Sequence, residues 1–416
     1  MDPVIAANNE SGLLQGLYNA DKNSEAGPVD YFFYYNSKNC PNMSRDVIEV
    51  SNEVPITANF GNKEVIFTIP KYGLITHMYL QTTVTKAADD DSALNSTMIG
   101  TRLYSTIVLR SQGNIICTQT PLSCLAKIWD APVEQSIALS KCTQPSLTLN
   151  GATSPVIGTP ILMPYFEINQ HQMRLDAMGY EPLQIRAIIN PSITGMGLTG
   201  ELTAFTPKLF VYYRKLEYNA YQAYRANNFG PQANLNLEML VWDTLTESTA
   251  VTNGTTESTH LIKCKNVAFK TNVCCVDAVA GIGAFLDQTT LISATTLGVS
   301  GQDIYKSLPP NVIEYDEAQY EKHKLISGWS TIASTTANSV TTLANAYRFF
   351  TFNHAIENNY VNQMGAISFT NTANPYVTIT HTDPGNTTTR LYVQHFVWKI
   401  LQISPADGRL IIGNAI

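Results

Sequence analysis

The residues of this chain that could do chemistry are few and do not converge. GMGLTG at 195–200 satisfies the G-x-G-x-x-G spacing, in which glycines let a backbone approach a pyrophosphate at a helix N-terminus. That use needs a helix to open at its end, but ELTAFTPKLFVYY follows and alternates like a strand, so the motif reads as a loop. His171 beside Arg174 and Asp176 suits acid/base work, yet one short polar stretch provides no geometry for a nucleophile and its base. A β-sandwich glycosidase needs two carboxylates across a cleft. Glu167, Asp176, Glu181 and Glu201 are available, and the sequence does not show them meeting.

The remaining reactive types are scattered. The seven His (77, 171, 260, 323, 354, 381, 395) include no pair at metal-ligand spacing and read as strand or loop residues. The seven Cys (40, 117, 124, 142, 264, 274, 275) are odd in number and lack C-x-x-C, which favours buried free thiols over a disulfide framework or a zinc site. No P-loop, H-E-x-x-H or G-x-S-x-G occurs. No catalytic residue, cofactor or metal is therefore expected. Sequons stand at Asn9, Asn42, Asn95, Asn253 and Asn386. In a chain rich in Ser, Thr and Asn they read first as surface loops, with Asn42, Asn95, Asn253 and Asn386 as candidate glycosylation sites.

The elements carrying these residues show period two. In Leu74–Val84, Leu74, Thr76, Met78, Leu80, Thr82 and Val84 share one face, while Ile75, His77, Tyr79, Gln81 and Thr83 share the other. Pro70 and Gly73 precede this run, at a corner where strand pairing is interrupted. RLYSTIVLRSQGNIIC at 102–117 predicts two strands joined at Ser111–Asn114, and KLFVYYRKL at 208–216 alternates again. YVTITHTDPGNTTTRLYVQHFVWKILQI at 376–403 predicts a hairpin turning at Asp383–Asn386. Helical candidates are GLLQGLYNA near the start, YNAYQAYRANN at 218–228 and EYDEAQYEKHKL at 314–325; the last has acidic residues early and Lys late, as the helix dipole favours. Amphipathic crossover helices are too few for a parallel α/β sheet.

Composition agrees. Charged residues are 14%, against about 25% in an average soluble protein. Uncharged polar residues fill the gap, as suits strands with one buried face or a surface covered by copies of itself. A net charge of −7 without a basic run argues against direct nucleic-acid binding. The run Asp89, Asp90, Asp91 reads as a solvated loop. The start MDPVIAANNESGLLQGLYNA lacks the pattern of a signal peptide, and VCCVDAVAGIGAFL at 273–286 is too short and too polar to span a membrane.

RKLEYNAYQAYRANNFGPQANLN changes composition between two strand-rich halves. The expected division is an arm over 1–28, a first unit over 29–217, a linker over 218–235 and a second unit over 236–416. Each half is then roughly 190 residues, enough for an eight-stranded antiparallel sandwich with long loops.

The order of these segments resembles the double jelly-roll major capsid proteins of large icosahedral DNA viruses of eukaryotes, the lineage that includes adenovirus hexon. GLLQGLYNADKNSEAGPVDYFFYYNSKNC is similar to that family's opening arm, and FTIPKYGLITHMYLQTTV to its strand, corner and strand. Gly73, Leu74 and Ile75 stand at the corner without the family's acidic residue. STIVLRSQGNIIC takes the place of its glycine-containing hairpin. PYFEINQHQMRLDAMGYEPLQIRAII matches the Pro-Phe-Trp-Phe segment through Pro164, Tyr165, Phe166, Pro182, Leu183 and Ile185. MGAISFTNTANPYVTIT keeps Phe369 of a second motif but lacks its Arg, and RLYVQHFVWKILQISPADGRLII is similar to the final strand pair.

The resemblance implies two consecutive eight-stranded antiparallel jelly rolls with a few short helices. It further implies a homotrimer with a near-sixfold outline tiling an icosahedral shell. The implied partners are the chain itself, neighbouring capsomers, minor capsid and penton proteins, and an internal membrane layer reached through other proteins. The location is the virion capsid, assembled inside the host cell, with an arm that neighbours order. Beside it stand a minor capsid protein, a spike or carbohydrate-binding β-sandwich, and the glycosidase; paired cysteines and a signal peptide would favour the secreted forms.

Overall fold

The computed structural model describes residues 43–53, 60–71, 73–86, 99–111, 113–131, 156–163, 182–191, 202–216, 237–251, 253–277, 292–309, 349–355, 363–383, 389–403 and 410–414, with isolated positions between them. The predicted helices near the start, at 218–228 and at 314–325 lie outside these residues.

Strands β1 (Met43–Ser51), β2 (Glu64–Ile69), β3 (Leu74–Lys86), β4 (Tyr104–Ser111), β5 (Asn114–Gln119), β6 (Val156–Ile161), the short β7 (Met173–Arg174), β8 (Leu183–Ile189) and β9 (Leu202–Leu216) form two sheets. One is ordered β1-β9-β3-β6, the other β2-β8-β4-β5, and every pairing is antiparallel. All but one of the successive long strands change sheet, which is the winding of a jelly roll. Alternation fills the space between the sheets. Val65, Phe67 and Ile69 of β2 and Leu183, Ile185, Ala187 and Ile189 of β8 meet Met78, Leu80, Val84, Leu209 and Val211. The buried Thr82 hydroxyl hydrogen-bonds the Tyr104 hydroxyl at 2.6 Å.

The second half repeats the plan. Strands β10 (Leu237–Ala250), β11 (Glu257–Leu261), β12 (Val267–Asp277), β13 (Ala284–Phe285), β14 (Ile292–Val299), β15 (Gln302–Leu308), β16 (Phe350–Asn353), β17 (Glu357–Asn358), β18 (Gln363–Met364), β19 (Ile367–Ser368), β20 (Tyr376–His381), β21 (Thr389–Ile403) and β22 (Leu410–Asn414) follow. One sheet runs β10-β21-β12, with β16 on β12; the other runs β11-β20-β14-β15. The repeat extends to irregularities. The β3–β9 ladder has a bulge between Ile75 and His77, and the β12–β21 ladder has one between Ala268 and Lys270. The short β7 pairs just before the first bulge and β19 just before the second. Two similar all-β units therefore share one strand order although no sequence repeat is visible.

Two expectations are corrected. Residues 376–403 are not a hairpin: β20 pairs with β11 and β14, whereas β21 pairs with β10 and β12 in the facing sheet. Turn-forming residues serve a corner between sheets as well as a tight reversal, and each run here finds other partners. In β3, the bulge at Thr76 shifts the alternation by one residue, so Ile75 packs in the core with Met78 and Leu80 instead of facing outward.

Gly73 shows why that corner needs glycine. Its φ is +76°, and a Cβ there would stand 2.6 Å from the Arg214 carbonyl oxygen. Gly73→Ala is expected to cost about 1–3 kcal/mol, read as a lower urea midpoint. An unchanged midpoint would refute the corner's dependence on left-handed backbone.

Candidate assembly faces and the seam between the rolls

Each roll has one sheet whose outer face is available for packing, and the two faces differ. In the second roll, α1 (Pro121–Asp130), from the β5–β6 connection of the first roll, packs on the β10-β21-β12 sheet. The helix starts where its sequence allows. Pro121 occupies the first turn, the Thr120 side chain accepts from the Ser123 amide at 3.2 Å, and Ser123 Oγ accepts from the Thr120 amide at 2.7 Å. Leu122, Cys124, Leu125, Ala126 and Ile128 share a buried cluster with Trp242, Phe269, Phe396 and Trp398. Phe269 and Trp398 lie 4.5 Å apart, and Lys127 Nζ sits 4.2 Å from the centre of the Trp242 ring. Such aromatic and cation–π contacts contribute about 0.5–2 kcal/mol each beyond area burial. Sequence reading missed this helix, although Thr120, Pro121 and the spacing Leu122, Leu125, Ile128 signal it.

Polar bonds fix the seam at its edge. The Asp243 carboxylate accepts from the Thr118 amide at 3.5 Å, the Cys117 thiol at 3.4 Å and the Thr244 amide at 2.8 Å, and it pairs with Lys399. Thr244 Oγ1 donates back to the Thr118 carbonyl at 3.3 Å. Burial, with the Asp243 charge beside it, pushes the Cys117 thiol well above its ordinary range, so it remains a donor. Ile412 of β22 packs against the first roll's core while its strand pairs with β21.

The equivalent outer face of the first roll is open along β1 and β9 among the described residues, while on β3 Tyr79 bonds Cys142 of the β5–β6 connection. Val47 is 47% exposed. His77 stacks on Tyr212 at 4.0 Å between centroids. Arg45 and Arg214 stand directly opposite each other across β1 and β9, and Lys208 pairs with Glu49 at 2.7 Å further along. Burial, then Arg45 and Arg214, holds the His77 pKa below its usual value, which keeps the imidazole neutral near pH 7.

The second roll also encloses a polar chain. Thr271 Oγ1 bonds His354 Nε2 at 2.8 Å and His395 Nδ1 at 3.0 Å, and Phe369 makes T-shaped contacts with both rings. His260 Nε2 pairs with Glu247 Oε2 at 2.7 Å, and Ser258 bonds His381 at 2.9 Å. Burial is the main cause lowering both His354, to about 3, and His395, to about 4.

Among the described residues no group of three or more His, Cys, Asp or Glu is placed to hold a metal, and no helix is long and apolar enough to cross a membrane. Cys117, Cys124, Cys142, Cys264, Cys274 and Cys275 are free thiols. Of the residues singled out by resemblance, Ile75, Leu183, Ile185 and Phe369 are core, Gly73 is the corner and Pro182 is exposed. The backbone of Leu74 opens β3. Pro164, Tyr165 and Phe166 lie outside the described residues, as do Asn42, Asn95, Asn386, His171, Glu167, Asp176, Glu181 and Glu201. Asn253 lies in an exposed turn.

No family model and no curated protein matches this chain. Solved structures do. A chain of the PBCV-1 virus capsid superposes with a TM-score of 0.68 at 12% identity, covering 92% of this chain and 100% of that one. The Faustovirus major capsid protein gives 0.58 at 11% identity, covering 96% and 100%. The mavirus major capsid protein gives 0.53 at 12%, covering 94% and 96%. At such identities the likeness establishes the architecture: this chain has the double jelly-roll fold of those capsid proteins.

Proposed function

We propose that this chain is a viral major capsid protein, that three copies form a pseudo-hexameric capsomer, and that capsomers tile an icosahedral shell. The observation carrying this reading is the repetition of one strand order and one bulge pattern in two rolls joined by a buried seam. Three copies then present six similar rolls, which close into a ring of near-sixfold outline. The open β1-β9 face supports it: the corresponding face of the second roll is covered within the chain, so a second copy is the natural cover for the first. In this reading the rolls span 29–217 and 236–416 around a 218–235 linker. The arm over 1–28 engages neighbours. Minor capsid and penton proteins are further partners, an internal membrane is reached only through them, and no residue is catalytic. The protein resides in the virion capsid and assembles inside the host cell.

Light scattering on the purified chain, with negative-stain images of the same peak, tests this. The expected mass is three times the 45.8 kDa chain, with a hexagonal outline. A monomer across the accessible concentration range would refute self-assembly.

A further inference from the structure

The open face has a chemistry that its covered counterpart lacks, and strand register identifies the matching positions. Counting from the two bulges, His77 of β3 corresponds to Lys270 of β12, and Tyr212 of β9 to Phe396 of β21. One step further, the opposed pair Arg45 and Arg214 corresponds to the opposed pair Trp242 and Trp398. In the second roll this patch is where α1 docks, with Lys127 over Trp242. An apolar helix carrying one lysine fits an aromatic floor. On the first roll the floor carries two guanidinium groups instead.

Two like charges directly opposite each other on one sheet face repel. No described carboxylate relieves them: Glu49, on the same face, pairs with Lys208, and the Asp46 carboxylate accepts from the Val47 amide at 2.9 Å. Neighbouring His77 adds no acceptor charge. Arg and Tyr beside an exposed Val47 form the kind of surface that anchors protein interfaces. A chain with 33 acidic and 26 basic residues has the carboxylates to answer it.

The repeat also points to which ones. Helix α1 belongs to the β5–β6 connection, and its topological equivalent is the β15–β16 connection. That connection contains EYDEAQYEKHKL at 314–325. Glu314, Glu317 and Glu321 fall at i, i+3 and i+7, which is one face of a helix. These residues lie outside the described ones. We infer that residues 314–325 of a second copy dock on the first roll's open face, with Glu314, Glu317 and Glu321 meeting Arg45 and Arg214 over Tyr212. The first roll's connection covers the second roll within a chain, the second roll's covers the first between chains, and three such steps close the ring.

This inference rests on the trimer reading, and one experiment separates them. The full chain and an Arg45→Glu/Arg214→Glu variant are compared by light scattering over a dilution series, at about 0.05 M and about 0.5 M salt. The wild-type trimer is expected to dissociate at lower dilution in high salt. The variant, with an unchanged melting temperature, is expected to need at least a tenfold higher concentration to assemble. Adding Glu317→Arg and Glu321→Arg to that variant should restore assembly. A variant trimer as stable as wild type, or no recovery in the charge-swapped chain, overturns this pairing while the trimer stands. A wild-type monomer overturns both.

Discussion

An Asp243→Ala chain is expected to lose about 3–5 kcal/mol of stability, the usual cost of removing one partner from a buried ion pair. The Asp243 side chain is 5% exposed and that of Lys399 16%. Alanine leaves the ammonium in the seam without its counter-charge, and it also strands the Thr118 amide and the Cys117 thiol, which reach Asp243 from the other roll. Two mechanisms then add, a charge without its partner and orphaned donors. Asp243→Asn separates them: the amide oxygen still accepts from Thr118 and Thr244 while the amide nitrogen replaces the oxygen that meets Lys399, so the ion pair and its hydrogen bond are lost but the donors of the first roll keep their acceptor, and the penalty should be smaller than for alanine. Urea unfolding of the full chain measures both. Because α1 and Asp243 link the rolls, the alanine variant should also unfold in two steps where the wild type unfolds in one. Equal, small losses for Ala and Asn, below about 1 kcal/mol, would show that the pair behaves as a surface ion pair and that the seam is held by the aromatic cluster alone.

The legible parts of this molecule were those set by local alternation. β3, β4, β5 and β9 read as strands because their residues alternate, and the corner before β3 was visible in Pro70 and Gly73, where strand pairing is interrupted. Pairing was not visible. The 376–403 segment carries every local mark of a hairpin, but whether two runs pair with each other or with strands more than a hundred residues away depends on contacts that no local pattern encodes. β12 hides its role differently. Lys270, Thr271 and Asn272 interrupt its apolar run, and all three are buried because one side of the strand faces the roll's interior and the other faces the packed seam. Helix α1 was missed because a ten-residue amphipathic segment among strands carries little weight. The open face was missed because Arg45 and Arg214 are far apart in sequence and become neighbours only through register.

The same buried polar chain makes the second roll sensitive to acid. His354 and His395 are enclosed with Thr271 between them and Phe369 in T-shaped contact with both rings, and among the described residues no carboxylate bonds either ring. Burial lowers both pKa values; His395 depresses His354 further, while His395 itself is raised by Glu247 and lowered by His260, with burial dominant. A base whose folded pKa lies below its unfolded value binds its proton first in the unfolded chain. Stability is therefore complete above pH 6.5 and falls as pH drops from 6.5 towards about 4 for His395 and about 3 for His354. At pH 4 the loss is about 3 kcal/mol for each ring, enough to consume much of a marginal stability. Glu247 acts in the same sense further down. Its pKa is lowered because the His260 and Lys263 hydrogen bonds together outweigh the opposing effect of burial, so its contribution is lost as pH falls through and below 4.5. Urea midpoints measured between pH 7.5 and 4 should drop steeply below 6.5, and His395→Leu should flatten that slope by about half. A profile that is level from pH 7 to 5, or one that His395→Leu leaves as steep as before, would show that acid sensitivity does not originate in this enclosed pair.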